Sequence, residues 1–382
     1  MEISPLAKSA LISHFGDASH VYSASDSEIA SVKGIGEREA ILMRNRDLNP
    51  AERILEQCES QSIAVIPVND PDYPARLREI FASPVVLYGR GHLPPIDELP
   101  VISVIGTRNA SPYGIKMGRE IAWQIACCGG TVVTLLTAGV DEAAAAGALL
   151  SDRPCIAVLG TAVDACRSRH LDRILENGAV LSEYPPGMSQ KKHFFRERNR
   201  VASGLSVGVV VIEAPEKSGT RLFVTEAVEQ GKDVFALPGN ADAENAAGTI
   251  ALLKDGAKLV TSGKDVMEEY VLRFPGVITL KEMTPEPISP VDTVEQNSGQ
   301  PESGGSGIGN VKRESGKYKE KLKQLTEDQL KIIAAIDSSS THIDDIIERT
   351  GLSAAKVLAQ LTLLEIKGFV RREIGKRFSL NL

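Results

Sequence analysis

The sequence predicts an α/β protein: a Rossmann-like, doubly wound and mainly parallel sheet, preceded by a helical domain of helix-hairpin-helix (SAM-like) type and followed by a winged helix. Three observations carry this. Across residues 61–275, short and wholly apolar runs alternate with helical runs, and strands without a polar face belong in a parallel sheet covered on both sides. Residues 276–325 are rich in Pro, Gly, Ser, Glu and Lys and hold too little apolar surface to bury a core, so a flexible linker is expected there. Residues 326–382 read as three helices and two short strands, the order of a winged helix-turn-helix.

Taken along the chain, residues 1–60 read as short helices with polar breaks, and Gly34-Ile35-Gly36 precedes a helical run from Glu37. Glycines at a helix start let backbone N–H groups approach a phosphate, and they equally make a plain tight turn; the sequence leaves both open. Strands are expected at 63–68, 85–89, 101–105, 131–136, 155–159, 179–182, 207–213 and 234–236, and helices at 113–127, 142–150, 169–177 and 220–230. The basic run 312–323 reads as a solvated helix. In the last domain Thr326-Glu327-Asp328-Gln329 is an N-cap signature, a second helix at 343–350 ends at Gly351, and a third covers 353–366. That third helix is apolar, and the domain's Lys and Arg are balanced by Asp and Glu. This favours a protein contact or a weak DNA contact over sequence-specific readout.

The chain has 382 residues and a formal net charge of -7, so a nucleic-acid site would have to be a local patch. No apolar run reaches the roughly 20 residues of a membrane helix, and the N-terminus lacks the pattern of a signal peptide; no membrane association is expected. The five cysteines (Cys58, Cys127, Cys128, Cys155, Cys166) form no C-x-x-C pair, which fits a reducing cytoplasm and no metal site. No Walker A motif occurs, and no G-x-G-x-x-G follows the first parallel strand, so no nucleotide cofactor is expected.

Four loops fall at the carboxyl ends of the expected parallel strands, where such sheets bind ligands. The first carries Gly106, Thr107 and Arg108, a turn that offers backbone N–H groups and a guanidinium fork to a phosphate. The second runs from Thr137 to Asp141. The third holds the decamer Lys191, Lys192, His193, Phe194, Phe195, Arg196, Glu197, Arg198, Asn199 and Arg200, expected as a basic loop feeding the strand at 207–213. Phosphodiesters and unstacked bases want both cations and ring faces; a solvated charged turn with two core phenylalanines is the alternative. The fourth, Lys217-Ser218-Gly219-Thr220 before a helix, is a small-residue anion cradle. No nucleophile–base–acid set stands out. Asp141 and Glu213 are expected to cap helices or orient arginines.

With these motifs in order, the chain resembles the DNA-processing protein A family (DprA, also called Smf) over residues 63–271. The resemblance is carried by Asp72-Tyr73-Pro74, Gly106-Thr107-Arg108 with Tyr113-Gly114, Ser182-Glu183-Tyr184-Pro185-Pro186-Gly187, Phe195 with Arg198-Asn199-Arg200, Gly204-Leu205-Ser206, Lys217-Ser218-Gly219-Thr220 and Pro238-Gly239. It implies a cytoplasmic, usually dimeric protein without enzymatic activity. Such a protein binds single-stranded DNA and helps load RecA recombinase during natural transformation. By the same resemblance Arg108, Lys192, Arg198 and Arg200 would hold phosphates and Phe195 would stack a base. The backbone of Ser218-Gly219-Thr220 would close the cradle, with Gly106, Thr107, Lys191, Asn199 and Lys217 completing the DNA site. The chain departs from the family pattern at Leu135 (usually Gly), Ala138 (usually Arg), Ala145 (usually His) and Arg196 (usually Pro). Two other functions fit parts of the sequence: a nucleoside monophosphate phosphoribohydrolase of the lysine-decarboxylase-like (LOG) group, whose doubled glycine is missing before Thr220, and a winged-helix adaptor.

Overall fold

The computed structural model describes residues 3–280, 326–336, 341–366, 369–373 and 377–380. Most of the expected linker and the basic run 312–323 lie outside the described residues. The chain divides into two units, Met1–Pro290 and Val291–Leu382.

The first unit opens with α1 (Pro5–Phe15), α2 (Ala18–Ser23), α3 (Asp26–Ser31), α4 (Glu37–Met43) and α5 (Asn49–Ser60). Leu11, Val21, Ile29 and Val32 form a small apolar core here. The Gly34-Ile35-Gly36 turn uses Gly34 at φ +99°, and Gly36 caps α4. The Gly36 N–H that a phosphate would need donates to Glu39 Oε2 at 3.0 Å, and the other Glu39 oxygen accepts from Ser4 Oγ at 2.6 Å. This helix start therefore carries its own carboxylate and is tied to the first helix.

A nine-stranded sheet follows, built from β1 (Ala64–Pro67), β2 (Val86–Gly91), β3 (Val101–Ile105), β4 (Thr131–Thr134), β5 (Cys155–Leu159), β6 (Ala179–Ser182), β7 (Gly208–Val211), β8 (Asp233–Ala236) and β9 (Lys258–Leu259). Their spatial order is β1-β2-β6-β5-β4-β3-β7-β8-β9. β1 and β2 are antiparallel additions; the other seven strands are parallel. The helices of this region are α6 (Ala75–Arg78), α7 (Pro112–Cys127), α8 (Val140–Ala148), α9 (Leu171–Asn177), α10 (Phe194–Leu205), α11 (Gly219–Glu229), α12 (Ala247–Lys254) and α13 (Gly263–Glu268).

Successive strand residues point to opposite faces, and here both faces are core. Ile102 and Val104 of β3 pack with Ile121 and Ile125 of α7 and with Ala144 and Ala148 of α8. Val101 and Ile105 pack on the other side with Leu77, Val201, Leu205 and Phe223, from α6, α10 and α11. After β6 the chain crosses back to lay β7 beside β3, in register at Ile105 and Val211. The connections from β3 and β7 thus leave to opposite faces, and a crevice opens between their carboxyl ends.

One expectation is corrected. The decamer at 191–200 is not a loop: from Phe194 it is the first half of α10. Phe194, Arg198, Val201, Ala202 and Leu205 are buried at the i, i+4, i+7, i+8, i+11 spacing of a helix face. An arginine in the second place of that face breaks the apolar pattern in the sequence. β9 was also not expected; it is two exposed residues at the sheet edge.

In the second unit, α14 (Glu327–Ala335), β10 (Thr341–His342), α15 (Ile343–Thr350), α16 (Ala354–Ile366), β11 (Val370–Glu373) and β12 (Arg377–Leu380) form a winged helix. Thr326 and Gln329 make the capping box expected at its start. Gly351, at φ +66°, ends α15 with its N–H on Ile347 O. Ile332, Ile346, Val357, Leu361, Leu364, Phe369 and Phe378 fill its core.

Candidate functional site

At the β3–β7 crevice the loops converge on a cavity of about 510 Å³. The Gly106-Thr107-Arg108 turn is clamped on two sides. Thr107 N–H donates to Glu213 O at 2.8 Å, and Val140 N–H donates to Thr107 O at 3.2 Å. A Cβ on Gly106 would lie 2.6 Å from Val140 Cγ2, and one on Gly139 (φ +81°) would lie 2.4 Å from Thr107 O. Only glycine allows these approaches, so the turn has one conformation. Glu213, buried at the end of β7, accepts from Ser111 N at 2.9 Å and Ser111 Oγ at 2.5 Å. Ser111 is the N-cap of α7, so this carboxylate positions the loop and does not face a ligand as a free anion.

The start of α10 forms the opposite wall. Arg198 is buried to 4% exposure and its Nη1 donates to Leu135 O at 3.1 Å and Val158 O at 2.9 Å. Burial pulls its guanidinium down to about 10, so it stays charged at pH 7 and presents a fixed cation at the ends of β4 and β5. The Arg108 guanidinium lies 5.8 Å from the centre of the Phe195 ring, a cation–π distance. The ring itself packs against Gly160, where a Cβ would come within 2.9 Å of Phe195 Cδ1. Phe194 takes no part: it is buried and stacked on Tyr184 at 3.7 Å between ring centroids. The Tyr184 hydroxyl donates to Glu197 Oε2 at 2.8 Å.

The third wall is the N-terminus of α11, with Ser218 as N-cap. The Ser218 Oγ is buried without a hydrogen-bond partner among the described residues. The first N–H groups of an 11-residue helix bring the positive end of its dipole to the cavity.

Of the residues expected at the site, this cavity brings together Gly106, Thr107, Arg108, Lys192, Phe195, Arg198, Asn199, Lys217, Ser218, Gly219 and Thr220. Arg200 and Lys191 are not among its lining. Arg200 is buried on another side of α10, with Nη2 on Glu183 Oε2 at 2.5 Å. Arg196, Asn109, Leu135, Thr137 and Asp141 also line the cavity and were not expected there as ligand contacts. A helical reading of the decamer would have found Arg196, since Lys192, Phe195, Arg196 and Asn199 follow i, i+3, i+4, i+7. Among the described residues Arg108, Lys192, Arg196, Arg198 and Lys217 set five cations against one carboxyl, that of Asp141. Asp141 is itself buried and receives the Thr137 hydroxyl. Burial pushes its carboxyl up to about 6, against the pull of Thr137, Arg198 and Arg108.

The arrangement can hold a polyanion against an aromatic face. The family profile described as DNA recombination-mediator protein A matches residues 64–271, and the DprA winged helix domain matches residues 317–376. Protein Smf of Synechocystis sp. is 32% identical over 390 residues, covering 98% of this chain and 95% of that protein. DNA processing protein DprA of Streptococcus pneumoniae is 34% identical over 247 residues, 64% of this chain and 86% of that protein. The X-ray structure of DprA from Streptococcus pneumoniae superposes with a TM-score of 0.61 at 31% identity, covering 70% of this chain and 93% of that one. DNA processing protein A from Helicobacter pylori, whose structure was reported for its single-stranded DNA binding mode, gives a TM-score of 0.50 at 25% identity, covering 55% and 96%. The first profile spans the whole parallel sheet with every wall of the cavity, and the second spans the winged helix, so the chain belongs to the DNA recombination-mediator protein A (DprA/Smf) family.

Proposed function

We propose that this chain binds single-stranded DNA in the cavity between β3 and β7 and acts, as a homodimer, as a recombination mediator that helps load RecA recombinase, without enzymatic activity. One observation carries the DNA part: five cations, a helix N-terminus and a half-buried ring meet in one crevice of a chain whose net charge is negative. Phosphates answer to the cations and the α11 N–H groups, and an unstacked base answers to Phe195. Membership of the DNA recombination-mediator protein A family supports the recombination-mediator part.

The test is fluorescence anisotropy with an oligo-dT and a duplex of equal length. The single strand is expected to bind more tightly. Its affinity should fall by roughly three-hundredfold between 50 and 200 mM salt if about six phosphates are neutralised. Equal binding of the duplex, or affinity indifferent to salt, would overturn the proposal. Faster assembly of RecA on single-stranded DNA in the presence of the protein tests the loading step.

The cavity should also respond to pH. Asp141, held up near 6 by burial, is ionised at pH 7 and opposes a phosphate. Between pH 7 and pH 5 it takes up a proton, and a bound phosphate favours that uptake. Affinity is therefore expected to rise as pH falls through this range, by at most about tenfold per pH unit for one proton. Asp141→Asn should bind more tightly at pH 7 and lose this dependence. A variant whose pH profile matched the wild type would exclude Asp141 as the titrating group.

A further inference from the structure

Beside the cationic cavity lies a second, of about 970 Å³, at the carboxyl ends of β7 and β8. The two share Thr107, Asn109 and Pro215 as wall, so they are consecutive stretches of one trough. Their chemistry is opposite. Among the described residues no Lys or Arg lines the second cavity, and Glu244 does, so a phosphate is disfavoured there by like charge and by the lack of a cation. What its wall offers instead is amide and aromatic surface. The side-chain amides of Asn109 and Asn240 point to no hydrogen-bond partner among the described residues, and each can donate and accept at once. Asn245 is held in the wall by its Nδ2, which donates to Asn109 O at 2.8 Å. The Tyr113 ring stands at the mouth, 46% exposed, with its hydroxyl on Pro238 O at 3.3 Å. Neutral amides with an exposed ring are the means by which proteins hold an unstacked base, hydrogen-bonding its edge and stacking on its face.

We infer that this second cavity is a base-binding subsite for a nucleotide adjacent in the same strand to the one whose phosphate lies among Arg108, Arg198 and Lys217. The inference rests on the single-stranded DNA function proposed above. Under it the trough alternates: phosphates over the cationic cavity, one base on Phe195, and a neighbouring base on Tyr113 with its edge read by Asn109 and Asn240. The subsite adds affinity that does not depend on charge, and it favours a chain with bases over a bare phosphodiester backbone.

The experiment compares an oligo-dT with an abasic oligonucleotide of the same length, titrated against the full chain at several salt concentrations. Tyr113→Ala is expected to narrow the wild-type preference for oligo-dT by about fivefold to a hundredfold. Asn240→Ala should narrow it less. Neither should change the slope of log affinity against log salt, because neither residue holds a phosphate. Tyr113→Phe, which loses only the bond to Pro238, should keep the preference. If the wild type binds oligo-dT but Tyr113→Ala and Asn240→Ala discriminate as it does, the subsite is wrong while the single-stranded DNA function stands. A loss in Tyr113→Ala that comes with a smaller salt slope, or that Tyr113→Phe shares in full, also overturns it by showing a disturbance of the neighbouring loop. A wild type that binds neither oligonucleotide overturns the function itself, and this inference with it.

Discussion

Arg108→Ala combined with Lys217→Ala is expected to weaken oligo-dT binding by about two to four orders of magnitude at moderate salt. The expectation follows from where the two cations stand. Both are exposed and both line the cavity from different loops, one after β3 and one before α11. Neither makes an ion pair within the fold among the described residues, so their charge is available to a ligand. Substitutions of this kind change stability by less than about 0.5 kcal/mol. A hydrogen bond to a charged group contributes about 1.5–3 kcal/mol, and two such contacts give the stated range. Arg108 also covers the Phe195 ring, so its loss weakens the stacking face too. The diagnostic quantity is the salt dependence: each lost phosphate contact lowers the slope of log affinity against log salt by about one. A double variant with reduced affinity and an unchanged slope would mean that Arg108 and Lys217 shape the cavity without touching phosphate.

The sheet was legible because its strands have no polar face. β3, β5 and β6 match the expected limits of 101–105, 155–159 and 179–182, all of them buried end to end. The alternation with helices is enough to put Gly106, Thr137 and Lys217 after carboxyl ends of strands, but it does not give the strand order, which crosses over at β6 and β7. β9 was not legible, since two exposed residues, Lys258 and Leu259, carry no hydrophobic pattern. The decamer hides its helix for a different reason. Its charges suggested solvent, yet Arg198 and Arg200 are both buried, each held by a partner distant in sequence. Arg198 finds carbonyls of Leu135 and Val158, and Arg200 finds Glu183. Sequence gives two arginines two places apart and no means to separate them. Geometry does: two positions on a helix are about 200° of rotation, so one guanidinium faces the crevice and the other faces away.

That separation yields a second large effect, on stability. Arg200→Leu is expected to destabilise the fold by about 3–5 kcal/mol, the range for breaking one side of a buried ion pair. Arg200 and Glu183 are both buried, joined by one contact at 2.5 Å. Arg200 Nη1 and Glu183 Oε1 have no further partner among the described residues. Burial pushes the Glu183 carboxyl up, while Arg200 and then Lys8 of α1 pull it back down. Removing Arg200 removes the larger pull, so the folded-state pKa climbs further above the unfolded value of about 4.3. A carboxyl raised in the folded state is destabilising when ionised. The stability deficit of the variant should therefore be small near pH 4 and grow as pH rises through the folded pKa. Urea denaturation across pH 4–8 measures it. Arg200→Leu with Glu183→Leu removes both charges at once and should recover most of the loss, since apolar replacement of a buried pair is often close to neutral. A pH-independent deficit, or a double variant as unstable as the sum of its singles, would show that packing and not the ion pair holds this part of α10. Where Arg200→Leu remains folded, its salt slope on oligo-dT should equal that of the wild type, because the guanidinium it deletes does not line the cavity. A slope lowered by one would instead return Arg200 to the phosphate-binding set that its sequence position first implied.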